Sequence, residues 1–497
     1  MKVLSLLGLL SAAVTVRSQY HGTKNPLIVK SDSGTYRGLI NDSAPLVREF
    51  LGIPFAKPPT DERRWLPPQK LGKHHSSHVY DATRYPPSCP QYVSKVPTVY
   101  NTVVPEYIIS GPVSEDCLAL SIWTPLKVAK KLPVIMFMTG GAFQTGGVEI
   151  NYQLPYNWVQ RTQKHIVVTI NYRVNIFGFP NAAGLEDQNL GILDQRMALE
   201  WVRDNIEAFG GDSSRITLWG QSAGAASTDI NNFAFYEDPI VTGFFAQSGT
   251  ASLLSSTDAS HSNFTFVASQ LGCDYPDDAT KELKCMRKVP AEDITAFVGA
   301  FNDNGTLPLF YPVPDDKIVF LNYTDRYIQG KVSPQPAIFS TTEQEGTALV
   351  PYQESGVNET FAQFATLALL CPVAQTSLLR EAAGLTTYRY LYSGDFPNVS
   401  PLPWMDAYHA SDLPMLFATH QDYTNGKGKS TPLEYKVSER MEDLLYAFMI
   451  DPEHGPEKHK WAPYTSGQML QFGADGKVMQ NVSIASVEAV CASFPAR

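Results

Sequence analysis

Leu218-Trp219-Gly220-Gln221-Ser222-Ala223-Gly224-Ala225 is the stretch that decides the fold. Residues 216–219 are short, apolar and rich in strand formers, and the small residues Ala225, Ala226 and Ser227 suit a helix start packed against a sheet. Ser222 therefore falls at the tip of a sharp strand-to-helix turn. The glycines two positions before and after it are what such an elbow requires, because the backbone is strained there and a side chain would strike neighbouring structure. A serine hydroxyl is a weak nucleophile until a base takes its proton. A catalytic Ser222 thus demands a histidine, an acid to orient it, and donors for an oxyanion.

Working outward, residues 132–138 form an apolar run with no polar face, the pattern of a strand buried on both sides. The run ends at Thr139-Gly140-Gly141-Ala142-Phe143, where a glycine pair lets backbone N–H groups turn into a site instead of a ladder. Residues 165–172 read as another central strand. Residues 194–209 read as an amphipathic helix with Met197, Trp201, Ile206 and Phe209 on its apolar face, ended by Gly210-Gly211. Strand, helix, strand in this order is the signature of a parallel α/β sheet. Further strands are expected at 118–124 by alternation, at 243–248, 336–341 and 386–392, and at the sheet edge over 27–36 and 47–53. Proline density over 52–68 predicts an ordered loop. Residues 252–332 read as an insertion over the sheet edge, and Val437, Met441, Leu444, Leu445 and Phe448 mark the core face of a helix.

The order Ser, acid, His leaves four of the ten histidines late enough to be the base: His409, His420, His454 and His459. His454 and His459 lie in a charged surface stretch. His409, between a proline-rich loop and an apolar run, is the choice, ahead of His420. The strand at 336–341 delivers two candidate acids, Glu343 and Glu345. His74, His75 and His78 sit among lysines and serines with no carboxylate to complete a ligand set, so a solvated loop is expected and no metal.

The chain has 497 residues and a net charge of −10 with no basic tract, which argues against nucleic acid as a partner. Lys2, the apolar run 3–16 and the small residue Ser18 read as a secretory signal peptide over 1–18, leaving 19–497 as one catalytic domain. No later stretch reads as long enough to span a membrane, so a secreted, extracellular protein without stable membrane insertion is expected. Sequons at Asn41, Asn263, Asn304, Asn322, Asn358, Asn398 and Asn481 agree with export. The six cysteines predict three disulfides. Short spacings pair Cys89 with Cys117 and Cys273 with Cys285, which leaves Cys371 with Cys491.

At this point the chain resembles the type-B carboxylesterase/lipase family, the cholinesterase-like α/β-hydrolases. The likeness is carried by Phe50 to Pro59, Ser114-Glu115-Asp116-Cys117, Gly140-Gly141-Ala142-Phe143, Asn171-Tyr172-Arg173-Val174, Asp194-Gln195, Asn205 to Asp212, Gly220 to Gly224, Glu345-Gly346 and His409 to Pro414, in family order. It implies a mostly parallel central sheet flanked by helices, with lid and helical insertions. It also implies Ser222 as nucleophile, His409 as base, Glu345 rather than Glu343 as the acid, and the N–H groups of Gly141, Ala142 and Ala223 as the oxyanion hole. The implied activity is hydrolysis of carboxylic esters, on a small-molecule or lipid substrate, without a cofactor. A lipase or sterol esterase on long-chain esters is the nearer alternative, and a non-catalytic binding protein the farther one. Two positions depart from the family pattern: Thr139 stands where relatives carry His or an aromatic, and Gln221 replaces a glutamate. With no tryptophan between Cys89 and Cys117 either, a choline-type cationic substrate loses its usual supports.

Overall fold

A computed structural model describes residues 25–72, 78–127, 131–253, 255–305, 309–423, 425–426 and 428–494. Its centre is a ten-stranded sheet. From edge to edge the strands are Met479–Ser483, Gln468–Phe472, Thr387–Tyr392, Ala337–Thr342, Gly243–Gln247, Gly211–Gln221, Leu132–Met138, Ile166–Ile170, Ala119–Pro125 and Val47–Pro54. The strands from Gln468–Phe472 through Ile166–Ile170 run parallel, and antiparallel strands close both edges.

Both faces of the parallel block are covered, which is why its strands are apolar without alternation. Val134, Met136 and Met138 pack on one face with Leu199 and Val202 of the helix Leu190–Asn205. Ile135 and Phe137 point to the other, where Met441, Leu444 and Phe448 of the helix Pro432–Ile450 meet them. Successive side chains of a strand alternate between faces, so one strand feeds two cores. The strand Gly211–Gln221 lies near the middle of this block and ends at Ser222, with the helix Ala223–Ala234 following.

Several sequence expectations shift. The single strand over 27–36 is a hairpin, Ile28–Ser31 with Gly34–Arg37, turning at the polar pair Asp32-Ser33 and forming a separate three-stranded sheet with Val79–Asp81. The strand read by alternation at 118–124 is buried throughout, because it is an interior strand and not a half-exposed one. The helix expected from 194 starts at Leu190, and its last turn, Ile206–Phe209, tightens to 3₁₀ before Gly210 at φ 102°. The insertion is helical, with Ser262–Gln270, Ala279–Met286, Ala291–Asp303 and Tyr323–Ile328. Phe264, Met286 and Ile294 from it pack with Ala226 and Ile230, on the helix that follows Ser222 and not on an outer strand.

The expectation that nothing beyond the leader is long enough to span a membrane does not hold: Glu359–Ala382 is long and apolar enough. Part of it is buried in the fold, against the segment 345–348 and the strand Ala337–Thr342, and Cys371 ties it to Cys491. The other disulfides join Cys89 to Cys117 and Cys273 to Cys285, as the spacing predicts. Asn304, Asn322, Asn358 and Asn481 are exposed, and Asn41 and Asn263 half-buried. Asn398 is a correction. It is 2 % exposed, and its amide donates to His420 O, Ser430 Oγ and Glu434 Oε1, leaving neither space nor a free nitrogen for a glycan. The signal segment 1–18 and the residues His74 and His75 lie outside the described residues.

Candidate active site

The elbow is built as the glycines predict. Ser222 has φ 57° and ψ −120°, a conformation that costs a non-glycine residue about 1–3 kcal/mol. Its N–H donates to the carbonyl of Gln247 at 2.8 Å, so the neighbouring strand holds it there. A Cβ on Gly220 would stand 2.1 Å from the carbonyl oxygen of Gly224, and one on Gly224 would stand 2.0 Å from that of Met138. No side chain fits at either position. The turn therefore lifts one residue, Ser222, out of an otherwise closed sheet.

The Leu132–Met138 strand lies beside the elbow strand and ends at the glycine pair. A Cβ on Gly140 would fall 3.1 Å from Ser222 Cβ, so the chain passes close against the serine. Gly141 and Ala142 have φ 103° and 54°, which turns this backbone away from the ladder. Both are exposed to the cavity in front of Ser222. Ala223 opens the twelve-residue helix Ala223–Ala234, whose first N–H groups have no partner within the helix and whose dipole favours negative charge at this end. The N–H groups of Gly141, Ala142 and Ala223 thus flank the serine from two chain segments.

Glu345 and His409 arrive from two loops on the same edge of the sheet. Glu345 follows the strand Ala337–Thr342, is fully buried, and accepts the Thr342 N–H on Oε1 at 2.8 Å. Its Oε2 lies 2.6 Å from His409 Nδ1. Glu343, the rival acid, is exposed and faces another cavity. His420 is a core histidine bonded to Ser430, and His454 and His459 are on the surface. Among the described residues no group of three or more His, Cys, Asp or Glu is placed to hold a metal ion.

Ser222, His409, Gly140, Gly141 and Ala142 line one cavity of about 360 Å³. The 89–117 loop walls it with Tyr92, Tyr100, Tyr107, Ile108 and Ile109, and Leu349 also lines it. Among the described residues that line it there is no Asp, Glu, Lys or Arg; the polar groups are amides and hydroxyls such as Gln91, Gln144, Gln153 and Thr145.

Sequence reasoning missed how this loop is fastened. Tyr100 donates its hydroxyl to the carbonyl of His409 at 2.8 Å, and Tyr107 donates to Ala410 at 2.9 Å. The wall of the cavity therefore also braces the histidine loop. At the loop's other end Tyr92 and Ser94 donate to Asp303, at the end of the helix Ala291–Asp303. A second unforeseen group is Asp412, fully buried three residues after His409, its carboxyl pushed up to about 6 by burial. It accepts from Tyr390 at 2.7 Å and from the Gln247 amide at 2.8 Å, so it anchors the residue whose carbonyl holds Ser222.

Three of the quoted motifs supply structural ion pairs. Arg173 grips Asp194 with two guanidinium contacts of 2.8 Å, and its N–H adds a third bond to the same carboxylate. Arg64 grips Glu115 in the same fork, at 2.6 Å twice. Asp194 is fully buried, so Asp194→Ala leaves Arg173 as an uncompensated buried charge. Denaturant unfolding of that variant is expected to give a loss of about 3–5 kcal/mol against the wild type.

The model of the carboxylesterase family matches residues 25–368. The chain belongs to the carboxylesterase family. It is 42 % identical over 488 residues to a chlorogenic acid esterase of Aspergillus niger, covering 94 % of each chain. It is 38 % identical to a protein named secreted lipase 5 of Gibberella zeae, over 95 % of this chain and 94 % of the relative. An acetylcholinesterase of Bungarus fasciatus is 28 % identical over 90 % of this chain and 82 % of its own length. The protein is a carboxylic ester hydrolase with the α/β-hydrolase fold that the sequence predicts.

Proposed function

We propose that this carboxylesterase-family protein cleaves non-cationic esters through Ser222, His409 and Glu345. The observation that carries the reading is the 2.6 Å contact of Glu345 with His409, opening on the same cavity as the strained Ser222. His409 takes the Ser222 proton as the hydroxyl attacks the ester carbonyl. The N–H groups of Gly141, Ala142 and Ala223 stabilise the oxyanion, each worth on the order of 10²–10³ in rate. His409 then returns the proton to the leaving alcohol, and water, activated by the same ring, hydrolyses the acyl-enzyme. Glu345 keeps the Nδ1 proton in place and stabilises the imidazolium.

An ester without a cationic group suits a cavity lined by amides, hydroxyls and aliphatic side chains. The relative named for chlorogenic acid makes that ester the first natural substrate to assay. A lipase reading is favoured by the relative named as a secreted lipase and by the aliphatic lining of Val93, Ile108, Ile109, Ile150 and Leu349. The catalytic parts run from Gly140 to His409 and meet at one cavity, which supports residues 19–497 as one catalytic domain. The leader-like residues 1–18, the exposed sequons and three disulfides support export to an extracellular compartment.

The test is turnover of p-nitrophenyl esters from acetate to palmitate, and of chlorogenic acid. Short-chain esters or chlorogenic acid are expected to give the highest kcat/KM. A maximum at palmitate supports the lipase reading instead, and a folded protein inert on every ester overturns both.

A further inference from the structure

In the neutral imidazole of His409, the 2.6 Å contact with Glu345 keeps the proton on Nδ1, which leaves the lone pair on Nε2. The group on that lone pair is not the Ser222 hydroxyl. It is the side-chain amide of Gln221, with Nε2 3.1 Å from His409 Nε2 in a buried contact. Gln221 is 3 % exposed and precedes Ser222 directly. A Cβ on Gly140 would come within 2.7 Å of Gln221 Oε1, so the amide is packed against the glycine pair and has room only because residue 140 is glycine.

We propose that Gln221 is a positioning residue that caps the catalytic base: in the resting enzyme its amide N–H occupies Nε2 of the neutral His409 ring, and substrate binding exchanges it for Ser222 Oγ. The inference rests on the Ser222, His409 and Glu345 reading. The amide N–H can bond the neutral ring but only repels an Nε2 that carries a proton. Gln221 therefore favours the neutral, base-competent form of the ring. A carboxylate at this position does the opposite, because it accepts from the imidazolium. The other titratable groups facing the ring are Glu345, Asp412 on its own loop, and Tyr100, whose hydroxyl is on the His409 carbonyl. All three stay in place when residue 221 is changed, so a difference between variants reads the amide alone.

The experiment is the pH profile of kcat/KM with p-nitrophenyl acetate, which reports the free enzyme. The variants are Gln221→Met, which keeps the length and removes the donor, and Gln221→Glu. The acid limb is expected to move to higher pH in both, by up to about one pH unit for Gln221→Met, the size of one neutral hydrogen bond, and further for Gln221→Glu. Gln221→Met, uncharged, keeps the test open if the buried carboxylate of Gln221→Glu prevents folding. Profiles that superpose on the wild type overturn the proposal and leave the amide as packing. A shift to lower pH in Gln221→Met also overturns it, because the amide oxygen would then face the ring. Turnover that survives in Ser222→Ala fails the underlying reading instead, so the two failures are separable.

Discussion

Ser222→Ala is expected to lower kcat on a p-nitrophenyl ester by about a million-fold, the scale seen when the nucleophile of such a unit is removed. The loss is this large because the hydroxyl is the only atom of the site that bonds to the acyl group. What survives is water attack beside the same N–H donors, worth about 10³–10⁴ over uncatalysed hydrolysis. The substitution keeps the Cβ and the backbone, so the elbow is expected to keep its geometry and its bond to Gln247. Unchanged denaturant unfolding alongside lost turnover separates chemistry from folding.

Glu345→Gln is expected to cost about ten-thousand-fold in kcat. Glu345 accepts two bonds, from the Thr342 N–H and from His409 Nδ1, and a glutamine has one acceptor end and one donor end. If the amide oxygen keeps Thr342, the NH₂ faces Nδ1 and forces the ring proton onto Nε2, where it disables the base. If the amide turns round, two donors meet at Thr342. The first arrangement breaks the tautomer that catalysis needs, and the second keeps it only by setting two donors against each other at Thr342. Glu345→Asp keeps both acceptors but shortens the reach, so part of the activity is expected to survive in it. Steady-state kinetics of the two variants tests this.

How far the sequence carries varies with the range of the interaction that decides each point. The elbow was legible because its causes are local: Gly220 and Gly224 meet each other across four residues. The central strands were legible for the same reason, since burial on both faces writes an unbroken apolar run. The choice of Glu345 over Glu343 rested on the following glycine, and the packing explains that signal. A Cβ on Gly346 would stand 1.8 Å from the carbonyl oxygen of Ala362, so the helix Glu359–Ala382 can approach only a glycine. That helix itself went unread, as did the edge strands Gln468–Phe472 and Met479–Ser483. Its apolar residues serve contacts on several sides and follow no single face. Asn398 fits its sequon and fails by burial, a tertiary property that no three-residue pattern holds. The bonds of Tyr100 and Tyr107 to the histidine loop span about three hundred residues, and that of Gln221 to His409 spans 188. Sequence spacing carries no trace of such pairs. The two departures from the family pattern were legible as departures; only the fold shows that one of them, Gln221, reaches His409.

The most direct test of the catalytic account is labelling with a fluorophosphonate, followed by mass spectrometry of the tryptic peptides. The account predicts one label per chain, on Ser222, with esterase activity falling in step with labelling and no label in Ser222→Ala. An active wild-type enzyme that carries no label on Ser222, or carries it on another residue as activity disappears, would contradict it.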